Sequence, residues 1–226
     1  MTSRTAKSIA NYDAMYPDRD FVHFSQDEKY VRFLVSKLRN PETSSVLDVG
    51  CGRGYWSRLF KENGVGHVVG IDVSQVGLRT AREAISDVEF ALADATRLPY
   101  ADQSFDMMFC QGLCIFATDD LSTIKTDALE LLRCLKDDGL FFFASATNLS
   151  GKWKGSWLQH KQSTVVDFFR SLGCDIVDVY LVERLIMLRL FGRFAITNNL
   201  LKHALPIVCC ITGLPICLVV IARKSI

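Results

Sequence analysis

The chain has 226 residues, of which 49% are hydrophobic, enough for one sizeable core. Lys and Arg total 26 against 25 Asp and Glu, and this net charge of +1 argues against a nucleic-acid surface built from bulk charge. The eight cysteines form no Cys-x-x-Cys pair and the four histidines are scattered, so we expect no metal site. The first twenty residues lack the apolar core of a secretory signal, which predicts a cytoplasmic protein.

Hydrophobic periodicity predicts alternating helices and strands after an opening helix. Ser25 and Glu28 stand in capping-box spacing before apolar residues at helical intervals, and this pattern stops before Pro41. Short apolar runs then predict buried strands at SVLDV, VVGID, VEFALA, FDMMFC and LFFFASA, separated by helices near 54–63, 74–86 and 119–136. After a loop at 148–159, a helix at 164–172 and the strands DIVDVYLVE and ICLVVIARK complete the pattern. The alternation indicates an α/β fold with a parallel sheet and helices on both faces.

The stretch VLDVGCGRGYW places glycines at positions 50, 52 and 54 directly after the first predicted strand. Glycines let the backbone turn sharply and approach a ligand, and a helix that begins near Tyr55 would offer N–H groups to an anionic end of that ligand. A dinucleotide motif would need a glycine at position 55, and a P-loop would need a Gly-Lys-Ser/Thr sequence, so both phosphate-binding interpretations weaken. A plain strand-to-helix turn is the remaining alternative.

Together with VVGIDVS, the segment VLDVGCGRG resembles the class I S-adenosylmethionine-dependent methyltransferases, and the resemblance runs over residues 46–146. It implies a doubly wound, mostly parallel, seven-stranded Rossmann-like sheet whose last strand is antiparallel. It also implies S-adenosyl-L-methionine as the cofactor. We expect a single domain over 1–226, with an N-terminal helical cap at 1–40 and an apolar, basic insertion at 183–212 between the last two strands.

The resemblance also implies roles for single residues. The loop Asp48–Gly54 would cradle the methionine part of the cofactor, and Asp72 would accept hydrogen bonds from the ribose hydroxyls. Asp94 would take the adenine amine, although Asp72 could equally cap the next helix and Asp94 could hold a turn. The implied cofactor-binding set is Asp48, Gly50, Cys51, Gly52, Gly54, Asp72, Val73, Asp94 and Ala95, with Gln111 near the sulfonium and Tyr12 and Tyr16 on an N-terminal flap.

A general base is needed only if the acceptor carries a proton at neutral pH. Many members of the family place a histidine a few residues after strand four, where this chain has Phe116. His160, in the loop GKWKGSWLQHKQ, is the remaining candidate base, and the alternative is a surface or capping histidine. Trp153 and Trp157 of the same loop could stack on an acceptor ring or hold the loop in place.

The C-terminal part is apolar and basic. Residues 184–203 carry four basic side chains and no acid, which suits peripheral contact with an anionic membrane, a lid over a lipophilic acceptor, or an ordinary helix with a solvated basic face. Residues 205–222 form an uncharged run of eighteen, about the minimum for a membrane span. Pro206 and Pro215 interrupt this run, and the family pattern needs a final buried strand there, so we expect no transmembrane span.

These features predict a cytoplasmic enzyme, with contact to the inner membrane surface through 184–212 as a further expectation. It would transfer a methyl group from S-adenosyl-L-methionine to a small-molecule or lipid-linked glycan acceptor by in-line displacement. The alternatives are a protein or peptide methyltransferase and a non-catalytic regulatory module that binds the cofactor. Nucleic acid is disfavoured as an acceptor by the neutral charge and by the absence of a base-flipping Pro-Pro-aromatic motif after strand four.

Overall fold

The computed structural model describes residues 25–147, 153–154, 157–158, 160–182 and 216–225. The helices are α1 (Ser25–Val35), α2 (Tyr55–Glu62), α3 (Gln75–Ala84), α4 (Lys125–Cys134) and α5 (Gln162–Ser171), with 3-10 turns at Pro41–Thr43, Cys114–Phe116 and Leu121–Ile124. The strands are β1 (Ser45–Val49), β2 (His67–Asp72), β3 (Glu89–Leu92), β4 (Phe105–Gln111), β5 (Leu135–Thr147), β6 (Trp153–Lys154), β7 (Trp157–Leu158), β8 (Cys174–Val182) and β9 (Ile216–Lys224).

Seven of these strands form one sheet in the order β3-β2-β1-β4-β5-β9-β8. Strand β1 is parallel to both β2 and β4, β2 is parallel to β3, and β9 is antiparallel to β8. The predicted fold class, a mostly parallel Rossmann-like sheet with an antiparallel last strand, is confirmed. The direction of winding reverses between β1 and β4, which is where open α/β sheets bind ligands.

The described residues fall into two compact units. The first unit comprises residues 25–110 and 125–141, and the second comprises 111–124 and the described parts of 142–225. In the first unit, α2 packs on β1 and β2, α3 packs on β2 and β3, and α1 packs on α2. The ring of Phe109 on β4 meets Trp56 and Phe60 of α2, with ring centroids 5.5 and 5.2 Å apart. This apolar packing fixes the helix that follows the glycine stretch.

Two glycines permit a close approach between α2, β2 and β3. A Cβ atom on Gly70 of β2 would lie 2.7 Å from the ring of Phe90 and 2.9 Å from Oγ of Ser57. A Cβ atom on Gly54 would lie 2.7 Å from the same Phe90 ring. Side-chain atoms do not tolerate such distances, so α2 sits this close to the sheet only because both positions are glycine.

The second unit has its own aromatic cluster. Phe116 packs edge-to-face on Phe143, with ring centroids 4.9 Å apart, and Phe143 packs on Phe169 of α5 at 5.8 Å. Helix α5 packs on β8 and β9. It ends at Ser171, and Gly173 two residues later has φ of 80°, as expected for a glycine that follows a helix C-terminus.

The predicted elements differ from the structure mainly at their ends. Helix α1 ends at Val35 instead of near residue 40, and α4 begins at Lys125 after a 3-10 turn instead of near residue 119. Strand β5 begins at Leu135, and Asp138 adopts φ of 62° within it, a conformation that Asp tolerates better than most residues. The antiparallel pair of β6 and β7 was not predicted.

Other expectations stay predictions. The single domain over 1–226 is one of them, and most of its cap at 1–40 and all of its insertion at 183–212 lie outside the described residues. Among the residues that the structure describes, no helix is long and apolar enough to cross a membrane.

Arg133 of α4 anchors the segment that follows β3. Its guanidinium donates to both carboxylate oxygens of Glu130 at 2.9 Å, to the carbonyl of Tyr100 at 2.9 Å and to Asp102. Glu130 in turn accepts from the backbone N–H of Leu98 at 2.8 Å. We expect Arg133→Met to lower the free energy of unfolding, because the carboxylate of Glu130 and the carbonyl of Tyr100 lose a charged donor. The free energy of unfolding of Arg133→Lys should fall between those of the parent and Arg133→Met, since lysine keeps the charge without the planar guanidinium.

Urea unfolding of the three proteins measures this difference. A free energy of unfolding for Arg133→Met within about 0.5 kcal/mol of the parent would show that the network is not stabilising.

Candidate cofactor-binding site

The glycine loop between β1 and α2 uses all three of its glycines in left-handed backbone conformations. The φ angles of Gly50, Gly52 and Gly54 are 77°, 56° and 80°. Each such position costs a residue with a side chain about 1–2 kcal/mol. The alternating glycines therefore follow from the path of the loop.

Strand β2 holds this loop in place. The N–H groups of Gly50 and Cys51 both donate to the carbonyl of Ile71, at 2.8 and 2.9 Å, and the N–H of Gly52 donates to Oδ2 of Asp72 at 2.8 Å. These three amides point into the protein. They are therefore not the groups that the loop would offer to an anionic ligand, contrary to what the glycine pattern alone suggests.

Asp72 ends β2 and uses both of its carboxylate oxygens. Its Oδ1 accepts from the N–H of Ser74 at 2.8 Å, and its Oδ2 accepts from Gly52. Asp72 does not cap α3, because the side chain of Ser74 takes that role by accepting from the N–H of Gly77. Each carboxylate oxygen can accept a second hydrogen bond, so the geometry is compatible with ribose hydroxyls.

Asp94 follows β3 and holds a turn, the alternative that the sequence left open. Its Oδ1 accepts from both the N–H and the hydroxyl of Thr96, at 3.0 and 2.9 Å. The N–H of Ala93 donates to the carbonyl of Asp72 at 3.1 Å, which joins the end of β3 to the end of β2. Val73 is half-buried and Ala95 is buried, beside these two acids in the chain.

Asp48 lies in β1, two residues before the loop, and only 2% of it is exposed. Its Oδ2 accepts from the hydroxyl of Ser57 at 2.6 Å. Burial raises the pKa of Asp48 to about 7; the hydrogen bonds from Ser57 act against this shift, and the negative charge of Asp72 adds to it. Ser57 was missed by sequence reasoning, and the only available signal was a small polar residue in the first turn of α2.

The structure thus brings together the predicted residues of the first unit at the carboxyl ends of β1, β2 and β3. The carboxylates of Asp48, Asp72 and Asp94 are acceptors, and S-adenosyl-L-methionine offers matching donors in its ammonium, ribose hydroxyls and adenine amine. This set of acids fits the cofactor. Their individual roles toward it stay predictions.

The remaining predicted residues are not among the described residues of the first unit. Gln111 is the last residue of β4, belongs to the second unit and is partly exposed. Tyr12 and Tyr16 lie outside the described residues. Trp153 and Trp157 begin the strands β6 and β7, whose antiparallel register pairs Trp153 with Leu158 and Lys154 with Trp157.

His160 is buried in the second unit, with 6% of it exposed, so it is not a surface residue. Its Nε2 lies 2.9 Å from the carbonyl oxygen of Phe116. Because a carbonyl oxygen only accepts, Nε2 carries the proton and donates it in this bond. A role as general base would therefore have to use Nδ1. No group of three or more potential metal ligands occurs among the described residues.

Comparison with known proteins finds a family model that matches the segment containing this site. Residues 46–139 match the family model described as a methyltransferase domain. By this match, the segment is similar to a methyltransferase domain. The resemblance and the cofactor prediction, S-adenosyl-L-methionine, are confirmed. The matched segment of this chain, residues 46–139, contains the glycine loop and the acids Asp48, Asp72 and Asp94.

Two curated relatives resemble the chain over part of its length. One is a malonyl-(acyl-carrier protein) O-methyltransferase from Hamiltonella defensa, 32% identical over 119 residues, which are 52% of this chain and 44% of the relative. The other is a demethylmenaquinone methyltransferase from Renibacterium salmoninarum, 30% identical over 143 residues, which are 62% of this chain and 58% of the relative. The match thus spans about half the length of these relatives.

The solved structures that resemble the chain include one that is described as a cyclase and not as a methyltransferase. The crystal structure of the cyclase SpnF has a TM-score of 0.65 and 18% identity, and the superposition covers 99% of this chain and 93% of that one. At this identity the similarity concerns the fold alone.

The raised pKa of Asp48 makes a prediction about stability. Because this pKa, about 7, lies above the ordinary 3.8, the folded state keeps a proton that the unfolded state has already lost between these values. The free energy of unfolding should therefore fall as the pH rises from about 4 to about 7, and then level off. Asp48→Asn cannot ionise, lacks this decline and should be more stable at pH 8 by up to about 4 kcal/mol.

Denaturant unfolding of both proteins across this pH range is the measurement. In Ser57→Ala, which lacks a hydroxyl that favours the ionised form, the decline should continue to higher pH. Parallel curves for the parent and Asp48→Asn would show that Asp48 ionises normally.

The geometry of His160 makes a second prediction. His160→Ala should destabilise the protein by about 1–3 kcal/mol, because the buried carbonyl of Phe116 loses its donor. His160→Gln keeps an N–H donor and should restore part of that loss, which thermal unfolding would show. Full stability of both variants together with loss of turnover would instead assign His160 to proton transfer.

Proposed function

We propose that this chain transfers a methyl group from S-adenosyl-L-methionine to a small-molecule acceptor. The observation that carries the proposal is the set of three acids at the ends of adjacent parallel strands, beside a rigid glycine loop, within a methyltransferase domain. The names of the relatives support a small acceptor, since both describe small-molecule or carrier-linked methylation.

The chain's own residues would bind and orient the reactants. S-adenosyl-L-methionine supplies a methyl group on a positively charged sulfur, which is an activated leaving group. Asp72 would hold the ribose, Asp94 would hold the adenine amine, and Asp48–Gly54 would line the methionine part. Alignment of this kind contributes on the order of 7–11 kcal/mol to catalysis without any proton transfer.

The residue that follows strand four favours an acceptor that is already ionised. Phe116 occupies the place of the histidine expected after strand four, and Nε2 of His160 is a donor to the Phe116 carbonyl. A carboxylate acceptor needs no base, because its pKa of about 4 leaves it ionised at neutral pH. The name of one relative, a malonyl O-methyltransferase, is consistent with such an acceptor. We therefore place small carboxylic acids and their thioesters first in an acceptor panel.

Other acceptors remain alternatives for this panel. A lipid-linked glycan, membrane contact through 184–212 and peripheral localisation depend on residues outside the described ranges. A protein or peptide acceptor and a non-catalytic cofactor-binding module are also open. The fold similarity to a cyclase is a reason to test the non-catalytic module, because the fold alone does not require methyl transfer. Formation of S-adenosylhomocysteine with any acceptor of the panel would distinguish an enzyme from a binding module.

Asp72→Asn tests the binding site. Asparagine keeps one side-chain oxygen that can accept from Gly52, so the loop should stay anchored, while the bond from Ser74, the charge and an acceptor site for the ribose are lost. We expect the affinity for S-adenosylmethionine to fall about tenfold to a hundredfold by calorimetry, because a hydrogen bond to a charged group contributes about 1.5–3 kcal/mol.

Asp87→Asn is the matched control, because Asp87 is an exposed acid outside the site. It should bind like the parent. Equal affinity of Asp72→Asn and the parent would contradict the proposed ribose contact, and absence of any binding by the folded parent would contradict the function.

A further inference from the structure

The two buried acids of the site are not equally stabilised. Asp72 accepts backbone N–H groups on both oxygens, from Gly52 and from Ser74. Asp48 is more deeply buried, and within the described part of the chain its hydrogen-bond donors come from Ser57, through its hydroxyl at 2.6 Å and its backbone N–H. Ionised carboxylates need several donors when they are buried, and Asp48 has fewer backbone donors than Asp72.

The groups that face Asp48 do not neutralise its charge. The carboxylate of Asp72 on β2 repels a second negative charge, and the thiols of Cys51 in the loop and Cys110 on β4 are buried and neutral, with pKa values raised by burial. Arg82 of α3 acts on the Cys51 thiol. Among the described residues, no basic side chain acts on the Asp48 carboxylate. These surroundings thus favour the protonated form of Asp48 when no cation is bound.

We propose that Asp48 holds a proton in the empty site and releases it to water when the ammonium group of the cofactor binds, so that cofactor binding is linked to proton release. This inference rests on the proposed function. The bound ammonium would supply the positive charge that none of the described residues places beside Asp48. Ser57 is a positioning residue here, since its hydroxyl stabilises the ionised form.

The sign of the effect follows from linkage. Binding selects the ionised form of Asp48, so the affinity should increase as the pH rises toward 7 and level off above it. Below that pH, the affinity should fall by up to about tenfold for each pH unit. At pH 7, about half a proton should be released for each ligand bound.

Calorimetry with S-adenosylhomocysteine in two buffers of different ionisation enthalpy measures the released protons. 5′-Methylthioadenosine is the control ligand, because it has the same nucleoside and sulfur without the amino acid. It should bind with almost no proton release. Asp48→Asn should bind S-adenosylhomocysteine without the extra proton, which also corrects for titration of the ligand's own amine. Ser57→Ala should move the midpoint of the pH dependence upward.

A direct titration covers the case in which Asp48→Asn does not bind. Carbon-13 NMR of the aspartate carboxyl groups should show one group titrating near pH 7 in the free protein and at lower pH with S-adenosylhomocysteine bound. Binding with equal proton release for both ligands, or an Asp48 signal that titrates near pH 4 in the free protein, would overturn the inference while leaving the function intact. Failure of every ligand to bind would overturn the function itself.

Discussion

The candidate site depends on one contact, in which the end of β2 holds the glycine loop. The carbonyl of Ile71 and the carboxylate of Asp72 together fix three consecutive amides of the loop. That contact requires α2 to lie close to the sheet, and a side chain on Gly70 would prevent this approach. Asp72 consequently has two tasks, since the same carboxylate shapes the loop and faces the predicted ribose position. Asp72→Ala would remove both the acceptor for the loop and the charge at the predicted ribose position. Asp72→Asn removes the charge and keeps an acceptor for Gly52.

Much of the fold could be predicted, because its central strands are buried on both faces and therefore appear as short uninterrupted apolar runs. Strand β8 was found instead by its alternation of apolar and polar residues, and the ends of the seven strands of the main sheet were mostly correct within a few residues. The glycine loop was equally visible, since only glycine adopts its conformations cheaply. The positions of Asp48, Asp72 and Asp94 at strand ends followed from the same pattern. The family resemblance then supplied what periodicity does not contain, namely the chemistry of the ligand.

The rest depends on contacts between distant residues, which a single sequence does not reveal. Ser57 is an ordinary helical serine in the sequence, and its bond to Asp48 exists only because α2 folds back over β1. The bond between His160 and the carbonyl of Phe116 joins residues 44 positions apart. Helix ends are also poorly determined, because 3-10 turns and α-helices share the same residue preferences. For these reasons the sequence located the acids correctly but did not indicate their ionisation.

The electrostatics of the site show why net charge was a poor guide to the ligand. A formal charge of +1 over the whole chain indicates no partner. Within the first unit, however, three acids lie at the ends of adjacent strands, and one of them is buried with neutral neighbours and a second acid. Such a cluster is unfavourable by itself and becomes favourable when a cation enters, because buried charges interact strongly where water is excluded. On the proposed function, the site would recognise its ligand through this local deficit of positive charge, which a ligand with an ammonium group and a sulfonium can supply.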